Sequence, residues 1–207
     1  MVGNDIVDLD DMETMVTSLH RRFDARVFAP CESALVAAAA VPHRLRWALW
    51  AAKEAAYKVL RKRQRAGGFA PRRFVVRGLD VLAAVAEPGR PRRAHGTVRG
   101  GGVEVPVHVE AVDGAVQALA VDGVGPEAAG WEMRALVAGE SPAVAVRELV
   151  LRGVGQLLAI EPHRLRVVRE HRVPRVVHGG EPLPVDVSLS HHGRYVAGAW
   201  CLVGEGV

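Results

Sequence analysis

Lysine is rare in this 207-residue chain, with three residues against 24 arginines. All three fall in one segment, as Lys53, Lys58 and Lys62. Two of them bracket a lone glutamate in Trp50-Ala51-Ala52-Lys53-Glu54-Ala55-Ala56-Tyr57-Lys58. Lysine is a compact point charge that can release a proton, whereas arginine is a fixed planar fork. Keeping lysine only here suggests a site that handles phosphate or protons. The plainer reading is a surface Glu–Lys pair at i,i+4, worth about 0.2–0.5 kcal/mol to a helix. On spacing alone the surface pair is the better reading. On an ideal helix Glu54 and Lys58 lie about 40° apart and can face one ligand, while Lys53 stands about 100° from Glu54 on the flank.

Two further places carry chemistry. Asp5 sits in Gly3-Asn4-Asp5-Ile6-Val7-Asp8 among strand-forming residues. A buried strand aspartate must be paired, hydrogen-bonded or placed on a metal. Asp10 and Asp11 read instead as a solvated turn and helix cap. Near the other end, His191-His192-Gly193-Arg194 follows Ser190 and separates two β-prone runs; His191-His192 by itself reads as a solvent-facing hairpin turn.

The elements that must position these residues are legible in outline. Residues 1–8 read as a strand. Pro30-Cys31-Glu32-Ser33 opens a helix, with proline in the first turn and an acidic residue at the positive end of the dipole. After Pro42 a second helix runs from about His43 to Arg65, with Leu45, Leu49, Trp50, Ala56, Val59 and Leu60 at helical spacing, and Gly67-Gly68 stops it. Phe74 to Val76, Leu79 to Val85, Ala94 to Val98, Val103 to Val109 and Ala115 to Val121 form an antiparallel meander broken by glycine turns. Gly100-Gly101-Gly102 is one of those turns, because it lacks the helix and the Lys-Ser/Thr ending of a phosphate loop. Glycine and proline over 125–140 mark a linker and the domain boundary, giving halves at 1–130 and 131–207. A helix over 142–160 with Ser141 as its cap, strands at Leu165 to Arg169 and Arg175 to Val177, and strands at Val185 to Ser190 and Tyr195 to Val203 complete the chain. The fold class is α+β, each half pairing a long helix with a small antiparallel sheet, which permits a pseudo-two-fold arrangement.

Composition narrows the function. Hydrophobic content of 49% and charged content of 24% describe an ordinary globular protein. The longest apolar run, Ala34 to Val41, is too short to span a bilayer, and no basic-then-apolar leader opens the chain. Cys31 and Cys201 have no metal or redox spacing, and a cytoplasmic location fits. Net charge is +4 and the pI about 9.6, compatible with an acidic partner or a polyphosphorylated ligand. An aromatic content of 5% without interleaved basic residues argues against nucleic-acid binding.

Three segments taken together resemble the 4′-phosphopantetheinyl transferase superfamily. Gly3-Asn4-Asp5-Ile6-Val7-Asp8-Leu9 is similar to its Gly-x-Asp-Ile-Val/Glu strand. Trp50 to Lys58 is similar to its Trp/Phe-x-x-Lys-Glu-Ala/Ser-x-x-Lys helix. Val187-Ser188-Leu189-Ser190-His191, followed by Tyr195-Val196-Ala197, resembles its Ser-His turn between two strands. A weaker similarity runs through Arg22 to Phe28 with Glu32. The motif order is that of the short, trimeric holo-acyl-carrier-protein synthase type. Residues 141–203 resemble the first half of the surfactin-synthetase type, so the layout reads as that two-half architecture with its halves exchanged. The alternative is a trimeric-type enzyme with an inserted meander. Two departures stand out. The Gly-Lys-Pro step falls on Arg172-Val173-Pro174, without its lysine, where Arg172 or Arg175 could substitute. The second acidic position after the aspartate is Val7, and Asp8 should point to the opposite face of the strand.

The resemblance implies transfer of the 4′-phosphopantetheine arm of coenzyme A to a serine of an apo acyl or peptidyl carrier protein, releasing 3′,5′-ADP. It implies Mg²⁺ held by Asp5 and Glu54, with Glu54 and Lys58 as catalytic residues. Lys53, Lys58, Ser190 and His191 become coenzyme A contacts, joined by Arg147 and Arg172; Arg152 and His192 are further candidates. A soluble monomer is implied, with a homotrimer as the alternative and neither nucleic acid nor membrane as partner. Charge alone marks His20 to Arg26, or Arg61 to Arg65, as a docking face for an acidic carrier. The competing function is a coenzyme-A-binding relative without activity.

Overall fold

Strand β1 (Val2–Asp8) sits at the edge of a five-stranded sheet. In the computed structural model the described residues are 1–63, 67–79, 82, 91–112 and 114–203. After β1 the chain forms α1 (Phe23–Val27), α2 (Pro30–Ala38) and α3 (Pro42–Lys62). Then come β2 (Val75–Arg77), β3 (Arg92–Gly100), β4 (Val103–Val112) and β5 (Ala115–Val121). The remainder is β6 (Ala129–Ala135), α4 (Pro142–Leu158), β7 (Leu165–Glu170), β8 (Val173–His178), β9 (Glu181–Pro182), β10 (Val185–His192) and β11 (Tyr195–Leu202).

The large sheet has the order β1-β5-β4-β3-β2, antiparallel throughout. A second sheet runs β10-β11-β6 and a third β7-β8-β9. The fold is thus α+β with antiparallel sheets, as the patterning predicts. The glycine triplet is a turn: Gly101 and Gly102, both at positive φ, join β3 to β4. The predicted strand at Leu79 to Val85 lies mostly outside the described residues.

Helix α3 packs on the large sheet through Leu45, Ala48, Leu49, Ala52, Ala55, Ala56, Val59 and Leu60, all buried. Its alanines let β1 come close: a Cβ at Gly3 would stand 2.1 Å from the Ala55 carbonyl oxygen. Phe23, Trp47, Trp50, Tyr57, Phe69 and Phe74 form a continuous run of tilted and edge-on rings along one side of α3. Helix α4 packs on β10 and β11 through Ala145, Val146, Leu149, Val150 and Val154.

The linker expected over 125–140 is not one. Strand β6 occupies its middle and pairs with β11, Ala129 opposite Cys201 through Ala135 opposite Tyr195. Gly130, one of the glycines that suggested a linker, serves packing: a Cβ there would lie 2.2 Å from the Trp200 indole nitrogen. Gly153 on α4 meets the same ring, with a Cβ 2.2 Å from the indole. Trp200 fills the space both glycines leave open.

Strands β1 and β10 lie side by side without a backbone ladder. Side chains replace it. The Val2 amide donates to Asp186 Oδ2 (2.7 Å), the Asn4 amide to Ser188 Oγ (2.9 Å) and the Asp8 amide to His192 Nδ1 (3.2 Å). Residue numbers rise together, so the strands run parallel. On the carbonyl side, Lys62 Nζ donates to Val2 O (2.6 Å) and Lys58 Nζ to Asn4 O (2.6 Å). The open edge of β1 is thereby occupied at Val2, Asn4 and Asp8 rather than left as a free template for pairing.

Candidate active site

Each ammonium has three protons to place, and the surroundings of the three lysines differ accordingly. Lys53 Nζ donates to Val27 O (3.1 Å), Glu32 Oε2 (2.6 Å) and Pro71 O (3.1 Å), and its side chain is 0% exposed. Glu32 also accepts from the Ala29 and Val76 amides. This buried network pins the starts of α2 and β2 to α3. Lys62 Nζ donates to Val2 O, Asp186 Oδ2 and Val187 O. Lys58 Nζ donates to Asn4 O and Asp5 Oδ1 (3.0 Å) and, among the described residues, to nothing else. Its side chain is 27% exposed, so one proton is left for a ligand. The sequence reading of Lys53 as a coenzyme A contact is corrected here: Lys53 is enclosed with all its protons spent. The flanking position that was to carry it to a phosphate carries it into the core.

A cleft of about 290 Å³ opens where the two sheets meet, lined by Asp5 and Lys58 from one side and Arg147, Arg169, Ser190 and His191 from the other. The structure thus brings together Asp5, Lys58, Arg147, Ser190 and His191. Glu54 does not line the cleft but stands one turn before Lys58 on α3, half-buried. Ser190 Oγ accepts from Asn4 Nδ2 (2.9 Å), which leaves its hydroxyl proton free to donate. Arg147 Nη1 donates to the Ala143 carbonyl (2.5 Å). Arg152 is exposed on α4 and is not among the residues lining the cleft.

A second cleft, about 400 Å³, shares Lys58, Arg169, Pro174 and Leu189 with the first and adds Arg61, Lys62 and Arg172, with no carboxylate among the described residues that line it. Arg172, the residue at the missing lysine step, is placed here. It occupies the turn between β7 and β8 with φ of 67°, beside His171 at 47°. Two consecutive non-glycine residues in the left-handed region cost free energy, and such strain gathers at functional sites. Arg175 pairs instead with Glu170 (3.5 Å) on the exposed face of the same hairpin. Sequence reasoning missed Arg169 as a lining residue; Val168 and Arg169 alternate in an ordinary-looking strand, and only the hairpin's packing aims the arginine at the cleft.

The carboxylates carry an unbalanced charge. Burial pushes the Asp5 carboxyl up, against Lys58 and His192, which favour its ionised form. Burial, followed by the negative charge of Asp5, raises Glu54 to about 7, with Lys58 opposing. Two crowded carboxyls that resist joint ionisation suit a hard, oxygen-seeking dication. Asp5 and Glu54 therefore fit Mg²⁺ chemically. Asp11, Glu13 and His192 also bring ligand atoms within 4.8 Å of one another. There, however, His192 Nδ1 already accepts from the Asp8 amide (3.2 Å), so that nitrogen is not free for an ion.

Residues 1–89 match the family model described as the 4′-phosphopantetheinyl transferase superfamily. The resemblance drawn from the motifs is thereby shown, over the stretch that carries Asp5, Lys53, Glu54 and Lys58. The α+β architecture with antiparallel sheets is compatible with that superfamily, and the match supports phosphopantetheinyl transfer as the general activity. Comparison with curated proteins and with solved structures gives no match. No described helix is long and apolar enough to cross a membrane.

Proposed function

We propose that this protein transfers the 4′-phosphopantetheine arm of coenzyme A to a serine hydroxyl of an apo acyl or peptidyl carrier protein and releases 3′,5′-ADP. The observation that supports this reading is the convergence at one cleft of Asp5 and an incompletely bonded Lys58 with Ser190 and His191, from segments about 130–185 residues apart in the chain. All of them come from one chain, which favours a monomer over a trimer.

In this reading the serine oxygen attacks the pantetheine-bearing phosphorus of the pyrophosphate, one P–O bond forms, and the bond to the departing 3′,5′-ADP breaks. Such a transfer needs positioning and charge neutralisation more than covalent help. Asp5 and Glu54 would hold Mg²⁺, which supplies positive charge to the phosphate oxygens. Glu54, titrating near neutrality, accepts the serine proton directly or through an ordered water. Lys58 donates its remaining proton to the leaving phosphate. Ser190 and His191 bind the nucleotide phosphates with Arg147, while Arg61, Arg169 and Arg172 supply the cationic wall of the adjoining cleft.

The test is incubation with fluorescent coenzyme A, Mg²⁺ and several apo carrier proteins. Covalent label on the carrier serine is the expected result, and no label on any carrier sinks the reading. Binding of coenzyme A without transfer would favour an inactive relative.

A further inference from the structure

The hairpin turn at Gly193-Arg194, which closes the strand end carrying Ser190 and His191, is held from outside the cleft. Asp8 is 1% exposed at its side chain and points to the opposite face of β1 from Asp5. Its Oδ2 accepts from the Arg194 amide (2.9 Å) and from Arg194 Nε (2.8 Å); its Oδ1 accepts from Arg194 Nη2 (2.7 Å) and from the Asp10 amide (3.0 Å). The Asp8 amide holds His192 through Nδ1. Arg194 Nη2 reaches on to Asp10 Oδ2 (2.7 Å). Between the two held residues is Gly193, at φ 50°, where a Cβ would lie 2.5 Å from Asp8 Oδ2. The turn thus closes directly over the carboxylate, and both residues that flank Gly193 are bonded to Asp8.

We infer that Asp8 is a positioning residue: by clamping His192 and Arg194 it fixes the turn that aims Ser190 and His191 into the cleft, and so sets affinity for coenzyme A without touching it. Asp8 enters the site through geometry alone. A bidentate carboxylate–guanidinium pair fixes orientation as well as distance. Here it is joined by the backbone amide of the same arginine, so the turn has little freedom to rotate. Residues 190–192 continue the side-chain ladder onto β1, and the clamp sets its end. The inference rests on the transferase reading for the identity of the ligand, and on the turn geometry alone for the clamp.

The test uses the full-length protein and the variants Asp8→Asn, Arg194→Ala and their double. Each single variant is expected to raise the KM and the Kd for coenzyme A by about tenfold, with kcat within about twofold and the carrier KM unchanged. The double is expected to be no worse than either single, because the two residues act together. Arg194→Lys, which keeps charge but not the fork, is expected to restore part of the affinity. The His191 and His192 imidazole resonances are expected to move in Asp8→Asn. Unchanged coenzyme A affinity with only a lower Tm, or additive effects in the double, overturns the inference. Wild-type protein that binds no coenzyme A overturns the transferase reading instead; the clamp is then judged by the imidazole resonances, which must stay put in Asp8→Asn for it to fail.

Discussion

At the scale of single residues, the three lysines divide their labour by what is left unsatisfied. Lys53 and Lys62 each meet three acceptors, and burial pushes both ammoniums down from their usual range. A planar guanidinium cannot converge on three acceptors around a point. Lys53→Met leaves Glu32 buried without its cation and should cost about 3–5 kcal/mol in denaturant unfolding. Lys58→Arg should fold and yet lose transfer by about 10²-fold or more, the scale of removing one donor from a developing charge. Wild-type turnover by Lys58→Arg would return the segment to a surface pair. Glu54 makes a separate prediction. Its folded pKa, about 7, lies above the ordinary 4.5. The protonated form is favoured by folding, so this group's contribution is present below pH 4.5 and is lost as pH rises through 7. If Asp5 and Glu54 hold Mg²⁺ as proposed, the ion would replace that proton, so its addition should raise Tm more at about pH 8 than at about pH 6, and Glu54→Gln should abolish the difference.

Elements make contact closely here because small residues let them. Gly3 lies against the Ala55 carbonyl, and Gly130 and Gly153 lie against Trp200 from two sides. Gly153→Ala should destabilise by about 1–3 kcal/mol through overpacking, measured by thermal or denaturant unfolding. Trp200→Phe in the Gly153→Ala background should recover part of that loss. The same reasoning explains β6. A glycine- and proline-marked stretch reads as a linker when glycine is taken for flexibility, but Gly130 is there to admit an indole. Strand β10 shows the converse. Its alternation of Val185, Val187 and Leu189 with Asp186, Ser188 and Ser190 identifies a strand, yet its polar face is not the solvated one: Asp186 and Ser188 are buried against β1.

For the molecule as a whole, the join between β1 and β10 is polar and pH-sensitive. Burial pushes the Asp8 carboxyl up, but bonds from the Arg194 side chain and from the Arg194 and Asp10 amides win and hold it at about 2, below the usual 3.8. The ionised form is favoured by folding. Its stabilisation is about 2 kcal/mol, since each tenfold change in proton affinity is worth about 1.4 kcal/mol. That stabilisation is present above pH 3.8 and is lost as pH falls toward about 2. Acid unfolding of the wild type should therefore steepen between about pH 4 and 2, and Asp8→Asn should flatten that limb while lowering stability at about pH 7.

Much of this was legible in the chain itself. The helix carrying Lys53, Glu54 and Lys58, the aspartate strand, the hairpin at His191 and the α+β class follow from periodicity, capping residues and motif spacing, all of which act over a few residues. That Asp5, on a strand, needs a partner was readable from residue type; that Lys58 is that partner was not. What only the tertiary structure decided is which polar groups are spent and which remain free. Lys53 and Lys58 differ by five positions on one helix, and nothing local tells that the first meets Glu32 and two carbonyls while the second keeps a proton for the cleft. Asp8 and Arg194 stand 186 residues apart, and Arg169 reaches the cleft only because its hairpin packs there. Local sequence sets which face a side chain takes; the partner that meets that face, and hence the remaining chemistry, is set by contacts between distant segments.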